Sequence, residues 1–178
     1  SAFSFFIGKV HGTLVDLLVT PLRPTQIIIA YTGASLVRAL LVGGVIWAVA
    51  GLMGAGTLHN PGWTLLFMAL TSTAFALLGL AVGILAQDFD HINFIPSFLL
   101  LPLTFLGGVF YSVRLLPAPW DQVSLLNPIV YMVNGLRFGM TGVSDVPVLP
   151  GLGMVVLSVL AGWALCTWLL ATGRGLKP

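Results

Sequence analysis

The chain contains no glutamate, and charge is sparse altogether: five aspartates and seven Lys/Arg among 178 residues, or 7%. A soluble domain carries about 25% charged residues. So few charges cannot cover a water-facing surface. Clustered Lys/Arg are missing too, which excludes a basic nucleic-acid face despite the net charge of +2. The one cysteine, Cys166, lies inside an apolar block and has no second thiol to pair with, so no intrachain disulfide forms. No G-x-x-x-x-G-K-[ST] occurs, and with it goes any phosphate cradle for ATP. No His/Cys/acid cluster has metal-ligand spacing. No aspartate falls within the middle of an apolar block, which removes the carboxylate relay of proton-driven transport.

What the chain does have is apolar length. Its residues are 58% hydrophobic, with a mean hydropathy of +1.06. They fall into four blocks, residues 26–53, 63–86, 94–116 and 152–171, each close to the roughly 20 residues that cross a bilayer. The fold class is therefore all-α: a polytopic transmembrane helical protein with four full spans. The opening Ala2-Phe3-Ser4-Phe5-Phe6-Ile7 is too short for a signal peptide and reads as the tail of an earlier span.

Basic residues orient these spans. Lys9 and Arg23 precede the first block, and Arg174 and Lys177 follow the last. Four spans bring both ends to one side, which the positive-inside rule makes cytoplasmic. On the opposite side Arg114 and Arg137 are roughly matched by Asp121 and Asp145. The acidic stretch 87–93 reads as a short cytoplasmic loop.

Two segments do not span. Residues 9–24 place Val10, Leu14, Leu17 and Leu18 on one helical face and Lys9, Thr13, Asp16 and Thr20 on the other. That spacing describes a short amphipathic helix at an interface or on a partner, ended by Pro21 and Pro24. Within residues 117–150, the apolar stretch 128–140 has the length of a re-entrant or interfacial piece. Asn127-Pro128 and Asn134-Gly135 punctuate it, and Trp120 and Tyr131 suit the headgroup level.

Four further features carry weight. Arg38 is the charge that falls inside a span, where leaving it in hydrocarbon costs about 3 kcal/mol or more. If lipid begins near Tyr31, Arg38 is about 10 Å deep at 1.5 Å per residue and can snorkel; a functional charge and a snorkelling one both stay open. Gly79 and Gly83 form a GxxxG continued by Ser72 and Ala76, a small-residue face whose first use is packing within the chain. Pro96 and Pro102 kink the third block ahead of Gly107-Gly108, which suits a moving or pathway-lining element. His11 and Asp16 match the H-x4-D pattern of lipid acyltransferases, yet on a helix they point about 140° apart, poor geometry for a catalytic pair.

Taken in order, these features resemble the ABC-2 type transport permeases. The segment before the first block, Gly12-Thr13-Leu14-Val15-Asp16-Leu17-Leu18-Val19-Thr20-Pro21, resembles the one before that family's third span. The stretch FIPSFLLLPLTFLGGVFYSVRLLP from Phe94, followed by LNPIVYMVNGLRFG from Leu126, is similar to the fifth span and the extracellular segment after it. The nearest branch resembles the bacterial YadH-like inner-membrane permeases, and the closing Gly173-Arg174-Gly175-Leu176-Lys177 is similar to that branch's C-terminus. Residues 1–178 then correspond to a partial ABC-2 transmembrane domain without the family's first span and most of its second. Val15 stands beside Asp16 where many relatives carry a further acid.

The resemblance implies a multi-pass protein of the bacterial inner membrane, the permease subunit of an ATP-binding-cassette exporter and not itself an enzyme. Two permeases, as a homodimer or a mixed pair, would form the pathway, surrounded by membrane lipids. Separate ATPase subunits would bind ATP and magnesium; this chain would hold no cofactor. Residues 9–24 would be the coupling helix, with Leu14, Asp16, Leu17, Leu18 and Pro21 at the ATPase. Gly107, Gly108, Phe110 and Tyr111 would line the outer gate, and Asn127, Pro128, Tyr131, Gly135 and Arg137 would belong to an extracellular re-entrant cap. Aromatic and small residues with few charges favour an amphipathic or apolar cargo. Read without the resemblance, the residues leave a passive channel or a membrane scaffold as the alternative.

Overall fold

Prolines open the helices of this chain. Pro24, Pro61 and Pro128 each stand in the first turn of a helix, where an N–H would go unpaired in any case and the fixed φ is already helical. The computed structural model describes residues 2–10, 23–54, 58–109 and 120–173, among which there is no strand. The helices are α1 Ala2–Val10, α2 Pro24–Leu52, α3 Pro61–Leu85, α4 Phe89–Ile95, α5 Leu101–Leu106, α6 Trp120–Leu125, α7 Pro128–Thr141 and α8 Val148–Thr172. A π-helical turn, Pro96–Leu100, joins α4 to α5.

Among the described residues four helices are long and apolar enough to cross a membrane: α2, α3, the run Phe89–Leu106 and α8. α3 is the centre of the bundle and touches α1, α2, α7 and α8. In lipid, helices associate through close packing more than through the hydrophobic effect, and small residues set the spacing. A Cβ at Gly83 would stand 2.8 Å from the carbonyl oxygen of Ala2, and one at Gly162 would stand 3.1 Å from Leu77 Cβ. The Gly83 end of the GxxxG thus serves packing within the chain, against α1.

Three apolar clusters fill the interior, two of them large. At the lower end, where α3 and α8 finish, Phe5, Ile28, Leu77, Leu80, Ile84 and Leu169 pack together. At the upper end, where α3 and α8 begin, Phe67, Met132 and Val155 do so. Lys9 closes the lower end by donating to the carbonyl of Ala86, the C-cap of α3, at 3.0 Å. A cation there offsets the carbonyls left unpaired at a helix C-terminus.

The third membrane-length helix differs from the expected block 94–116. It starts at Phe89, inside the stretch read as a loop, because Phe89 packs edge-on against Phe6 with ring centroids 4.9 Å apart. Ile92, one turn on, is buried with Phe6 and Ala86. Asp90 falls in the first turn of α4, where a carboxylate complements the helix dipole. The π-helical turn comes just before Pro102, whose missing N–H cannot bond one turn back, and the wider turn absorbs the break. The helix ends at Leu106. α8 likewise starts earlier than expected and takes Pro150 into its first turn, where proline is tolerated. Lys9 and Val10 are the last residues of α1, and residues 11–22 of the expected 9–24 helix lie outside the described residues.

Candidate functional site

α7 is the element on which the upper end converges. It has 14 residues, about 21 Å at 1.5 Å per residue, too short to cross about 30 Å of hydrocarbon. Asn127 caps it, accepting from the Ile129 N–H at 3.0 Å, with Pro128 as its first residue. Gly142 ends it at φ +75, a left-handed conformation that favours glycine, and donates to the Phe138 carbonyl.

Three neighbours hold α7 in place. Against α3, Gly135 meets the ring of Phe67 and Gly139 meets Thr64 so closely that no side chain fits at either position. The same contact is completed by the backbone, where Asn60 N donates to Gly139 O at 2.8 Å and His59 N to Met140 O at 3.2 Å. Against α5, Asn127 Nδ2 donates to the Leu103 carbonyl at 2.6 Å. Arg137 Nη2 donates to the carbonyl of Gly108 at 2.6 Å, and Gly108 presents that oxygen from a left-handed φ of +71. Ile129 packs onto Gly107.

The third neighbour is the turn into α8. Asn134 is 4% exposed and bonds to that turn with both ends of its amide. Its Oδ1 accepts from Asp145 N at 2.7 Å and Val146 N at 3.2 Å, while its Nδ2 donates to Val146 O at 2.8 Å. Arg137 Nη1 pairs with Asp145 Oδ2 at 2.6 Å. Tyr131 adds a bond from its hydroxyl to Leu125 O in α6 at 2.8 Å.

Of the residues singled out from sequence, Gly107, Gly108, Asn127, Pro128, Tyr131, Gly135 and Arg137 come together here. Asn134-Gly135 does not punctuate the segment as expected: both residues lie inside α7. Asn134 escaped notice as a partner for the turn, although an amide in an apolar stretch must find hydrogen bonds when buried. Leu14, Asp16, Leu17, Leu18, Pro21, Phe110 and Tyr111 lie outside the described residues. Arg38 lies apart from α7, in the middle of the 29-residue α2, about 21 Å from either end. Its side chain lines a groove between α1, α2 and α3.

An upper end of this kind, a short helix tied to the ends of three membrane-length ones, belongs to a polytopic membrane protein, and comparison with known proteins says which. Residues 1–141 match the family model described as ABC-2 type transporter. The chain belongs to that family. Over 177 residues it is 42% identical to the inner membrane transport permease YadH of Escherichia coli K12, covering 99% of this chain and 69% of that protein. Nodulation protein J of Rhizobium leguminosarum bv. viciae is 27% identical over 165 residues, 92% of this chain and 64% of its own length. The Sinorhizobium fredii nodulation protein J is 29% identical over 162 residues, 90% and 60% respectively. No solved structure matches. As an ABC-2 permease with four membrane-length helices, the chain is a multi-pass inner-membrane transport subunit and not itself an enzyme.

Proposed function

We propose that this ABC-2 permease is the membrane half of an ATP-driven exporter, in which two permeases form the pathway and separate ATP-binding subunits supply the energy. The observation that carries the reading is the helix Phe89–Leu106. It leans on its own bundle at its two ends, through α1 and α3 below, where Phe89 meets Phe6, and through α7 above. Between them Phe98 is 69% exposed and Leu101 55%. An apolar helix with a π-helical turn at its middle, open along one side, suits the seam between two copies. Its upper end is held by Arg137 and Asn127, so α7 is the outer cap of the pathway, and Gly107 and Gly108 form its hinge.

ATP and magnesium bind on the partner subunits. Those subunits dock on the lower, cytoplasmic side, on the stretch that follows α1, whose sequence spaces Leu14, Leu17 and Leu18 as one helical face beside Asp16. An amphipathic helix of that kind fits a groove on a partner. The test is co-purification of the permease with its ATP-binding subunit and measurement of ATP hydrolysis. Asp16→Lys is expected to abolish the permease-dependent change in rate while leaving membrane insertion intact. Unchanged coupling in that variant sinks the reading. Solute flux without nucleotide favours a passive channel instead.

A further inference from the structure

Phe3, Phe6 and Lys9 stand at successive i, i+3 positions of α1 and so share one face of that helix. All three reach the turn between α3 and α4. Lys9 Nζ donates at 3.0 Å to the carbonyl of Ala86, the residue that ends α3. Phe89, the first residue of α4, meets the ring of Phe6 edge-on at 4.9 Å and that of Phe3 at 5.9 Å. Phe6, Ala86 and Ile92 are buried against one another. One face of α1 thus grips both sides of the turn, through a charge on the α3 side and through rings on the α4 side. Phe5 belongs to a different contact, edge-on against Tyr31 of α2 at 5.3 Å.

Neither half of this grip slides freely. A cation holds a carbonyl that the helix end leaves unpaired, and edge-to-face rings keep a preferred geometry. Close-packed side chains pass a displacement on instead of absorbing it. The position of the grip matters as much as its stiffness. Lys9 is one residue from the end of α1, beside the stretch on which the ATP-binding subunits are proposed to dock. Phe89 opens the helix Phe89–Leu106, proposed as the seam between two permeases.

We infer that Phe6 and Lys9 are positioning residues that carry movement from the ATPase-docking stretch to the foot of the helix Phe89–Leu106. The last turn of α1 and the first turn of α4 move as one body. A shift of the stretch after Val10 then tilts that helix from its base, below the π-helical turn. The inference rests on the ATP-driven reading above and adds to it the route by which the work reaches the pathway.

The experiment uses the full-length permease expressed with its ATP-binding subunit. It reads co-purification, thermal unfolding in detergent, and the permease-dependent change in ATP hydrolysis. Lys9→Met keeps an apolar stem and removes the donor. It is expected to leave the complex and its unfolding temperature near those of the parent. The permease-dependent change should fall about tenfold, as the loss of one charge-assisted hydrogen bond implies. Lys9→Arg, which still donates, should retain it. Phe6→Cys with Phe89→Cys, in a Cys166→Ser background, removes both rings and should uncouple as well. Bridging the two thiols with a bis-methanethiosulfonate should restore coupling in the same sample, and reductant should abolish it again. Phe5→Leu, at the Tyr31 contact, should lower the unfolding temperature and leave coupling in place.

Full coupling in Lys9→Met overturns the inference, as does a bridged pair that stays uncoupled. Equal uncoupling by Phe5→Leu overturns it too, because the grip would then act only through general stability. A parent permease that neither binds the ATP-binding subunit nor changes its rate removes the ATP-driven reading, and this inference with it. A parent that couples, beside a Lys9→Met variant that couples equally, removes this inference alone.

Discussion

Arg137 joins two turns that are distant in sequence: its guanidinium pairs with Asp145 at 2.6 Å and donates to the Gly108 carbonyl at the same distance. One side chain thus links the end of the proline-kinked helix to the turn that starts α8. The Asp145 carboxylate is 12% exposed and the guanidinium 26%, so the pair is shielded enough to matter. Arg137→Ala is expected to destabilise the protein by about 1.5–3 kcal/mol, the range for hydrogen bonds to charged groups. A double-mutant cycle with Asp145→Asn, read by thermal unfolding in detergent, should show strong coupling. Additive losses would mean that the pair contributes nothing beyond its parts.

Asn134 is the more costly residue to lose. Without its amide, the N–H groups of Asp145 and Val146 lose the acceptor they share, while the Val146 carbonyl keeps the Ser144 hydroxyl, and each buried group left unpaired costs about 1–3 kcal/mol. Asn134→Ala should cost about 2–4 kcal/mol, more than Arg137→Ala, and should speed amide exchange at Asp145 and Val146 in particular. Exchange that changes only elsewhere would show that the turn holds itself.

Gly135 and Gly139 should respond differently to the same added methyl. At Gly135 the obstacle is the ring of Phe67; at Gly139 it includes the backbone nitrogen of Thr64, 2.7 Å from an added Cβ. A ring can be trimmed, whereas a backbone can only move away with its helix. Overpacking costs about 1–3 kcal/mol. Phe67→Leu is expected to rescue Gly135→Ala and to do nothing for Gly139→Ala. Rescue of both, or of neither, in an unfolding assay would contradict this packing.

A seam between two copies along Phe89–Leu106 can be trapped covalently. Cys166 is buried and donates to the Leu77 carbonyl at 3.2 Å, a bond that Cys166→Ser preserves. In that background Phe98→Cys, at an exposed position, should give a disulfide-linked dimer in membranes under mild oxidation. Phe67→Cys, at a fully buried one, should not. A monomer in both cases would remove the seam from this helix.

The amino-acid sequence by itself determined the all-α membrane architecture and the approximate place of each long helix. Apolar length is a property of consecutive residues and needs no partner to be read. The LNPIVYMVNGLRFG block pointed to the ABC-2 family for a similar reason, its order being local. Pro24 and Pro128 were read only as breaks, whereas each opens a helix.

Only the tertiary structure decided what depends on residues far apart in the chain. Phe89 enters a helix because Phe6 meets its ring, although the acids around it suggested a loop. Asn134-Gly135 continues a helix because the amide bonds to the turn beyond it and the glycine admits Phe67. Arg38 and Thr71, far apart in the chain, come to one groove because α2 and α3 pack side by side. Packing geometry sets each of these outcomes, and neither helical period nor composition carries that information.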